Sequence, residues 1–200
     1  MSIIIKRPDL HVLTIRIMGT SPLICHAWSK KAKEEMLAKQ MGKNVGPRAK
    51  KDPKKDYEES LYPTSDKKGY GFPAVAFKSA AVRAAKLVDG LAMTDVRQMI
   101  HVIADDGDLV RIKGKPSPRE DMVRLSKGVA DIRYRGEFRK WETTLRIQYN
   151  QDVISADQIA NLIYLAGFSV GVGEWRVDKN GTFGMFTIDD ESMTIERVAA

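Results

Sequence analysis

The spacing of apolar and polar positions changes along the chain, and each change of period predicts an element. Residues 10–18 (LHVLTIRIM) interleave apolar and polar side chains with a period of two, which predicts a strand. Ser29 is placed to cap a charged surface helix that ends at Gly42. Residues 74–88 (AVAFKSAAVRAAKLV), after Phe72-Pro73, predict an alanine-rich helix that packs closely against a sheet.

The second half of the chain continues the same mixture. Shorter patterns predict strands at residues 101–103, 109–113, 130–138 and 141–149. A capping box at Ser155 opens the clearest amphipathic helix, which ends at Gly167. Helices and strands are interspersed, so we expect an α+β fold: an antiparallel sheet of the RNA-recognition-motif or ferredoxin type with helices on one face. Such a fold can bind single strands on its open face.

Residues 169–188 (SVGVGEWRVDKNGTFGMFTI) place four glycines around Trp175 and Arg176. Asn180-Gly181 is a strong turn signal, so this segment predicts a C-terminal glycine-rich hairpin. Glycine also allows another backbone to approach closely, which makes Gly171 and Gly173 candidates for contact with a ligand.

The composition restricts the chemical class of the binding partner. The chain of 200 residues has a net charge of +7 and a pI near 9.4, which favours an anionic partner. Nucleic acid is the first candidate, and a membrane surface or simple solubility are the alternatives. Cys25 is the single cysteine, so neither a disulfide framework nor a cysteine zinc site is expected, and the reducing cytoplasm is the expected location. The N-terminus is too briefly apolar for a signal peptide, and no run is long enough to span a membrane.

Two stretches lack an apolar pattern and read as basic insertions, at about residues 42–70 and 113–128, into a single domain of residues 1–200. The first carries the candidate phosphate-binding lysines Lys50, Lys51, Lys54 and Lys55. A solvated, mobile insertion is the alternative.

In a strand over residues 130–138, Arg133 and Arg135 share one face and Ile132 and Tyr134 share the other. We expect both arginines to be exposed to a ligand. An ordinary solvated strand face is the alternative. The hypothesis is a single-strand groove in which Trp175 stacks on a base and the cations bind phosphates, lined by Lys78, Arg83, Arg133, Arg135, Trp175 and Arg176.

Three motifs, in this order, resemble the RAMP superfamily, whose members form the RNA-binding backbone and processing subunits of CRISPR ribonucleoproteins. They are the Ser21-Pro22 turn after the first strand, Phe72-Pro73 through Lys78 and Ala80 at the start of a helix, and Gly171-Val172-Gly173 through Gly181-Thr182-Phe183-Gly184. The family's two serines fall on Val75 and Ala76 here, and its arginine on Val82 instead of Arg83. The whole chain also resembles small phage or prophage proteins.

The resemblance implies a subunit that assembles along single-stranded RNA, as a homo-oligomer or filament or with other ribonucleoprotein subunits, without sequence preference and without a cofactor. Three alternatives stay open: a phage single-strand DNA-binding or annealing protein, a metal-independent endoribonuclease, and an inhibitor that mimics a CRISPR subunit. Catalysis is the less favoured interpretation. By resemblance, the candidate acid/base pair is His26 with Lys30 or Lys31, and the candidate metal-dependent residue is Asp52 or Asp56.

Overall fold

The computed structural model describes residues 6–43, 50–124 and 130–198. Within these ranges the chain forms five helices and seven strands. In order, they are β1 Leu10–Gly19, β2 Leu23–Cys25, α1 Lys30–Gln40, α2 Pro53–Glu59, β3 Tyr70–Pro73, α3 Ala74–Ala84, α4 Met93–Met99, β4 Ile100–Ile103, β5 Leu109–Arg124, β6 Ala130–Asn150, α5 Ala156–Ser169 and β7 Phe186–Arg197.

The strands form one antiparallel sheet in the order β3-β5-β6-β1-β7, and β2 and β4 also pair with β6. β6 is long enough to pair with β5 along its first half and with β1 along its second. One face of the sheet is apolar, with Leu13, Ile15 and Ile17 of β1 fully buried. α3 and α5 cover this face, and the other face carries Arg16 and Arg146 in contact with solvent.

The local signals in the sequence explain why these helices begin where they do. Ser29 Oγ accepts from the backbone N–H of Ala32 and caps α1. Ser155 and Gln158 form the predicted capping box of α5. Asp52 caps α2, whose first residue is Pro53, so a short helix stands inside the region that reads as a basic insertion.

Two segments differ from the sequence-based expectations. Residues 113–124 belong to β5 and pair with β6 as a long β-ribbon, where the prolines predicted a partly ordered excursion. The glycine-rich segment is an irregular loop with one 3₁₀ turn at Val177–Lys179 instead of a hairpin, because the strand that follows begins only at Phe186 and pairs with β1. Asn180 has the left-handed conformation that its turn signal predicts.

Candidate functional site

α3 and the glycine-rich loop meet at one carboxylate. Arg83 Nη1 lies 3.0 Å from both carboxylate oxygens of Asp178, and Arg176 Nη2 lies 3.5 Å from one of them. Arg176 also donates to the carbonyl of Gly173, at 3.3 Å. Two candidate residues that the sequence separates, Arg83 and Arg176, are therefore held side by side with their guanidinium groups partly exposed.

Trp175 lies in a cluster of aromatic rings and arginines. The guanidinium carbons of Arg119 and Arg135 lie 5.9 and 5.7 Å from its ring centroid, and the ring of Phe183 lies 6.2 Å away. Arg119 also sits 4.7 Å above Phe183. Desolvated contacts of this kind stabilise a cation on an aromatic face. Trp175 therefore has protein neighbours on its ring already, and stacking on a base would displace one of them.

Arg135 is buried, which corrects the prediction that it is exposed. Only 3% of its side chain is accessible, while Ile132 on the opposite face is 43% exposed. Near Arg135 the charged face of the strand therefore points inward, whereas further along the strand Phe138, on the same face as Ile132, is fully buried. Arg135 Nη1 lies 3.3 Å from Asp121, and Nη2 lies 3.5 Å from Glu174, so carboxylates on the same side compensate the buried charge.

Arg119 extends this network along the ribbon. It pairs with Asp121 and with Glu137, each at 2.8 Å, and Glu137 also accepts from Arg139, at 3.1 Å. Across the site, five arginines share four carboxylates: Arg83, Arg119, Arg135, Arg139 and Arg176 against Asp121, Glu137, Glu174 and Asp178. Planar guanidinium groups held this way are oriented in advance for bidentate contact with phosphate.

At the loop glycines, backbone atoms of the protein itself occupy the space that a side chain would need. Gly171 and Gly173 have positive φ, at 71° and 85°, and a Cβ on Gly173 would lie 2.6 Å from the carbonyl oxygen of Ile24. The neighbouring Glu174 N–H donates to that same carbonyl, at 3.1 Å. The close approach that glycine permits here fixes the loop against Ile24 in the middle of β2. The ligand contact predicted for Gly171 and Gly173 remains a prediction.

Glu174 connects this network to His26. Nδ1 of His26 lies 3.4 Å from Oε1 of Glu174, across 148 positions of sequence. The hydrogen bond from His26 and the positive charge of Arg135 lower the pKa of Glu174 against the effect of its partial burial. The carboxylate therefore stays ionised and orients the imidazole. This partner of His26 has no local signal in the sequence.

A cleft of about 520 Å³ lies beside His26. It is bounded by the chain that leads into α1, by α2 and by residues 131–134 at the start of β6. Three of the predicted nucleic-acid-binding residues line it: Lys50, Lys51 and Arg133. Lys51 Nζ donates to the carbonyl of Ile132 and lies 2.5 Å from a carboxylate oxygen of Asp131. Glu35, Asp56 and Glu59 also line the cleft, so its charge is mixed.

The remaining candidates lie elsewhere or act locally. Lys54 and Lys55 are exposed on α2, and Lys55 Nζ is 3.8 Å from Glu59 of the same helix. Lys78 is half-buried on α3. Asp52 accepts from the N–H of Lys55 as the helix cap, which gives it a structural role in this structure. Lys30 and Lys31 begin α1, and their side chains lie outside the described part of the structure.

The described ranges hold no group of three or more histidine, cysteine, aspartate or glutamate side chains close enough to bind one ion. The single thiol, Cys25, is buried, and burial raises its pKa to about 12. None of the helices in the described part of the chain has the length and apolar character needed to cross a membrane.

Comparison with known proteins identifies the fold. The sequence matches no family model and no curated protein. The chain is similar to a chain in the cryo-EM structure of the Type III-B Cmr-beta bound to cognate target RNA, with a TM-score of 0.57 and 9% identity over 96% of this chain and 62% of that one. It also matches Cmr6 from Pyrococcus furiosus, with a TM-score of 0.45 and 9% identity over 90% of this chain and 98% of that one.

The predicted α+β fold with an antiparallel sheet is confirmed, and the first similarity shows that this fold is shared with that chain of the Cmr-beta structure. At 9% identity the likeness extends to the fold alone, and the chain spans less than two thirds of the protein it resembles.

Proposed function

We propose that this chain is a single-stranded nucleic-acid-binding subunit, with RNA as the favoured ligand, that assembles along the strand within a ribonucleoprotein. The observation that carries the proposal is the convergence of α3 and the glycine-rich loop at Asp178, where Arg83 and Arg176 lie side by side. α3 and the glycine-rich loop carry two of the three motifs on which the resemblance rests. The shared fold with a chain from an RNA-bound complex supports the same conclusion.

The charge pattern favours the nucleic-acid backbone as the ligand. Four arginines with accessible side chains, Arg83, Arg119, Arg139 and Arg176, pair with carboxylates at this surface, and the whole chain carries a net charge of +7. A phosphate can bind partly paired guanidinium groups without the cost of ordering them. Affinity gained this way comes with counterion release and carries little base preference.

A titration of labelled single strands tests the proposal. The full chain is mixed with single-stranded RNA, single-stranded DNA and duplex RNA of about 12 nucleotides, and anisotropy is followed from about 50 to about 200 mM salt. We expect binding to single strands, tighter for RNA, with affinity that falls steeply as salt rises. Absence of binding at the lowest salt would refute the proposal. Tighter binding to DNA would favour the single-strand DNA-binding alternative.

Assembly along the strand is tested by electron microscopy of the protein with long single-stranded RNA. We expect particles that lengthen with the RNA. Discrete particles whose size does not depend on RNA length would contradict the proposed assembly along the strand, but not the proposed binding.

RNA cleavage is a second candidate function, and the contact between His26 and Glu174 favours it. With Nδ1 of His26 facing the carboxylate at 3.4 Å, the imidazole is oriented and its Nε2 is left for proton transfer. Labelled RNA incubated with the wild-type protein and with His26→Ala, in the presence of a chelator, decides this. Cleavage by the wild type that His26→Ala abolishes supports it, and an intact substrate with both proteins excludes it.

A further inference from the structure

The cleft beside His26 is bounded on one side by an unpaired length of strand. β2 pairs with β6 only from Gly136 to Phe138, while β5 occupies the other edge of β6 from residue 130 onward. The edge of residues 132–134 therefore faces the cleft without a partner strand in the described chain. Such an edge presents backbone donors and acceptors to whatever enters the cleft.

The direction of the backbone groups follows from two contacts. The carbonyl of Ile132 accepts from Lys51, and the N–H of Gly136 donates to Ser60 Oγ at 2.7 Å, both on the cleft side. Because backbone groups alternate in direction along a strand, Tyr134, between these two residues, also directs its N–H and C=O toward the cleft. One donor and one acceptor of the same residue therefore point into it.

Lys51 decides which kind of ligand fits this edge. Its ammonium group holds the Ile132 carbonyl and the Asp131 carboxylate together, so a second β-strand could not pair beyond Tyr134 without displacing it. Lysines placed on strand edges commonly prevent pairing in this way. What remains is the single donor–acceptor pair of Tyr134, which matches the hydrogen-bonding edge of one planar heterocycle better than an extended peptide.

The walls of the cleft favour a base over a phosphate. The indole of Trp28 is 55% exposed at the cleft, with Lys33 Nζ 5.5 Å from its ring centroid, and offers a face for stacking. Asp56 and Glu59 of α2 also line the cleft, and carboxylates repel phosphate but accept hydrogen bonds from amino groups. Lys50 and Arg133 in the same cleft supply positive charge for the phosphates that flank a bound base.

We propose that this cleft binds one unstacked nucleobase of the bound strand and selects a base that carries an exocyclic amino group. The amino group donates to the carboxylates of α2, the Tyr134 backbone pairs with the adjacent ring edge, and Trp28 stacks on the base. Uracil presents carbonyl oxygens where the carboxylates lie, so it is disfavoured. The inference rests on the proposed binding of single-stranded RNA and adds base selection at one position to it.

Oligo(C) and oligo(U) form a matched pair of probes, since the two pyrimidines differ in the 4-amino or 4-oxo group and in the N3 beside it, which accepts a hydrogen bond in cytosine and donates one in uracil. Anisotropy titrations use the full chain at one salt concentration with labelled RNAs of about 12 nucleotides. We expect oligo(C) to bind about tenfold more tightly than oligo(U), within the discrimination that base-edge contacts supply. The double variant Asp56→Asn/Glu59→Gln should bring the two affinities to within about threefold of each other.

Glu58→Gln is the control for charge, because Glu58 is exposed on the same helix and does not line the cleft. It should keep the preference for oligo(C). Equal binding of both oligonucleotides by the wild type, or a preference for oligo(U), overturns the base pocket and leaves the proposed RNA binding intact. A preference that survives in the double variant also overturns it. Absence of binding to either oligonucleotide removes the proposed function itself.

Discussion

Arg83 and Asp178 are joined through a single nitrogen, Nη1, which lies 3.0 Å from both oxygens of the carboxylate. The two residues are 95 positions apart, so this contact fixes the glycine-rich loop against α3. Arg176 approaches the same carboxylate, and the shared negative charge is smaller than the sum of the two positive charges. The pair therefore keeps the capacity to bind an anion.

Arg83→Ala should weaken binding to single-stranded RNA by about fivefold to twentyfold, because one phosphate contact is lost. The plot of log affinity against log salt should become shallower by about 0.7, the value for one contact on a single strand. Anisotropy titrations at several salt concentrations measure both quantities.

Arg197→Ala is the matched control for this change. Arg197 is exposed and also pairs with an aspartate, Asp9, at 2.8 Å, but it lies at the end of β7. The same loss of charge there should change the salt dependence far less. An equal effect of both variants would mean that net charge, and not the pair at Asp178, governs binding.

Removal of the buried cation at Arg135 should destabilise the fold. Arg135 and Asp121 have side chains only 3% and 4% exposed, so Arg135→Ala leaves Asp121 buried beside an unfilled space, with Arg119 as its remaining cation at 2.8 Å. Breaking a buried pair from one side costs about 3–5 kcal/mol of unfolding free energy, and because Arg119 stays in place we expect a loss near the lower end, about 3 kcal/mol. Urea denaturation of the variant measures this loss.

The double variant Arg135→Met/Asp121→Leu should recover much of that stability, because it removes both buried charges and fills similar volume. RNA binding by the refolded double variant then separates the structural role of Arg135 from a direct one. An Arg135→Ala variant as stable as the wild type would contradict the predicted contribution of the buried network to stability.

Gly184 should tolerate no side chain. Its φ is +67°, and a Cβ there would lie 1.7 Å from the carbonyl oxygen of Val172, which belongs to the backbone and cannot move alone. Positive-φ strain alone costs about 1–3 kcal/mol of unfolding free energy, and Gly184→Ala should cost well above that because of the added clash. Gly90 has a similar φ of +78° with no atom within 4 Å of the added Cβ, so Gly90→Ala reports the strain without the clash. Similar melting temperatures of the two variants would contradict the prediction.

Alkaline pH should reveal the burial of Cys25. Burial raises the pKa of its thiol from 9.0 to about 12, so the folded state keeps the neutral form that the unfolded chain loses. A raised pKa gives stability that is complete below pH 9 and is lost as the pH rises toward 12. At a pH of about 10.5 this amounts to about 2 kcal/mol of unfolding free energy.

Denaturation of the wild type and of Cys25→Ala at about pH 8 and about pH 10.5 isolates this group, because other titrations are common to both proteins. The wild type should lose about 2 kcal/mol more than Cys25→Ala between these pH values. Rapid labelling of Cys25 by iodoacetamide in the folded protein at neutral pH would contradict the burial itself.

The sequence predicted the elements whose signals are local. β1 follows from its alternation, and the capping box at Ser155 located the start of α5. α2 was missed, although the pair Asp52-Pro53 is a recognisable cap followed by a first-turn proline. The lysines around this signal are typical of a solvated insertion, so the charge pattern predicts a loop where the cap predicts a helix.

The site could be predicted only in part, because its contacts join distant segments. The motif identifies the glycine-rich segment, and Arg83 is a candidate from its place on the predicted helix, but the contact between Arg83 and Asp178 joins residues 95 positions apart. Glu174 lies 148 positions from His26, and no periodicity relates them. The prediction that Arg135 is exposed is wrong for the same reason. Alternation assigns residues to two faces of a strand, but the contacts of Arg135 with Asp121 and Trp175 decide which face is buried there.

The position of β1 in the sheet also sets an order for folding. β1 lies between β6 and β7, and its partners are residues 142–150 and 186–197. β1 is therefore synthesised long before either of its neighbours. Because such distant pairings close long loops before they gain contacts, folding should be slow, with the apolar side of β1 exposed on the nascent chain until β6 and β7 have left the ribosome.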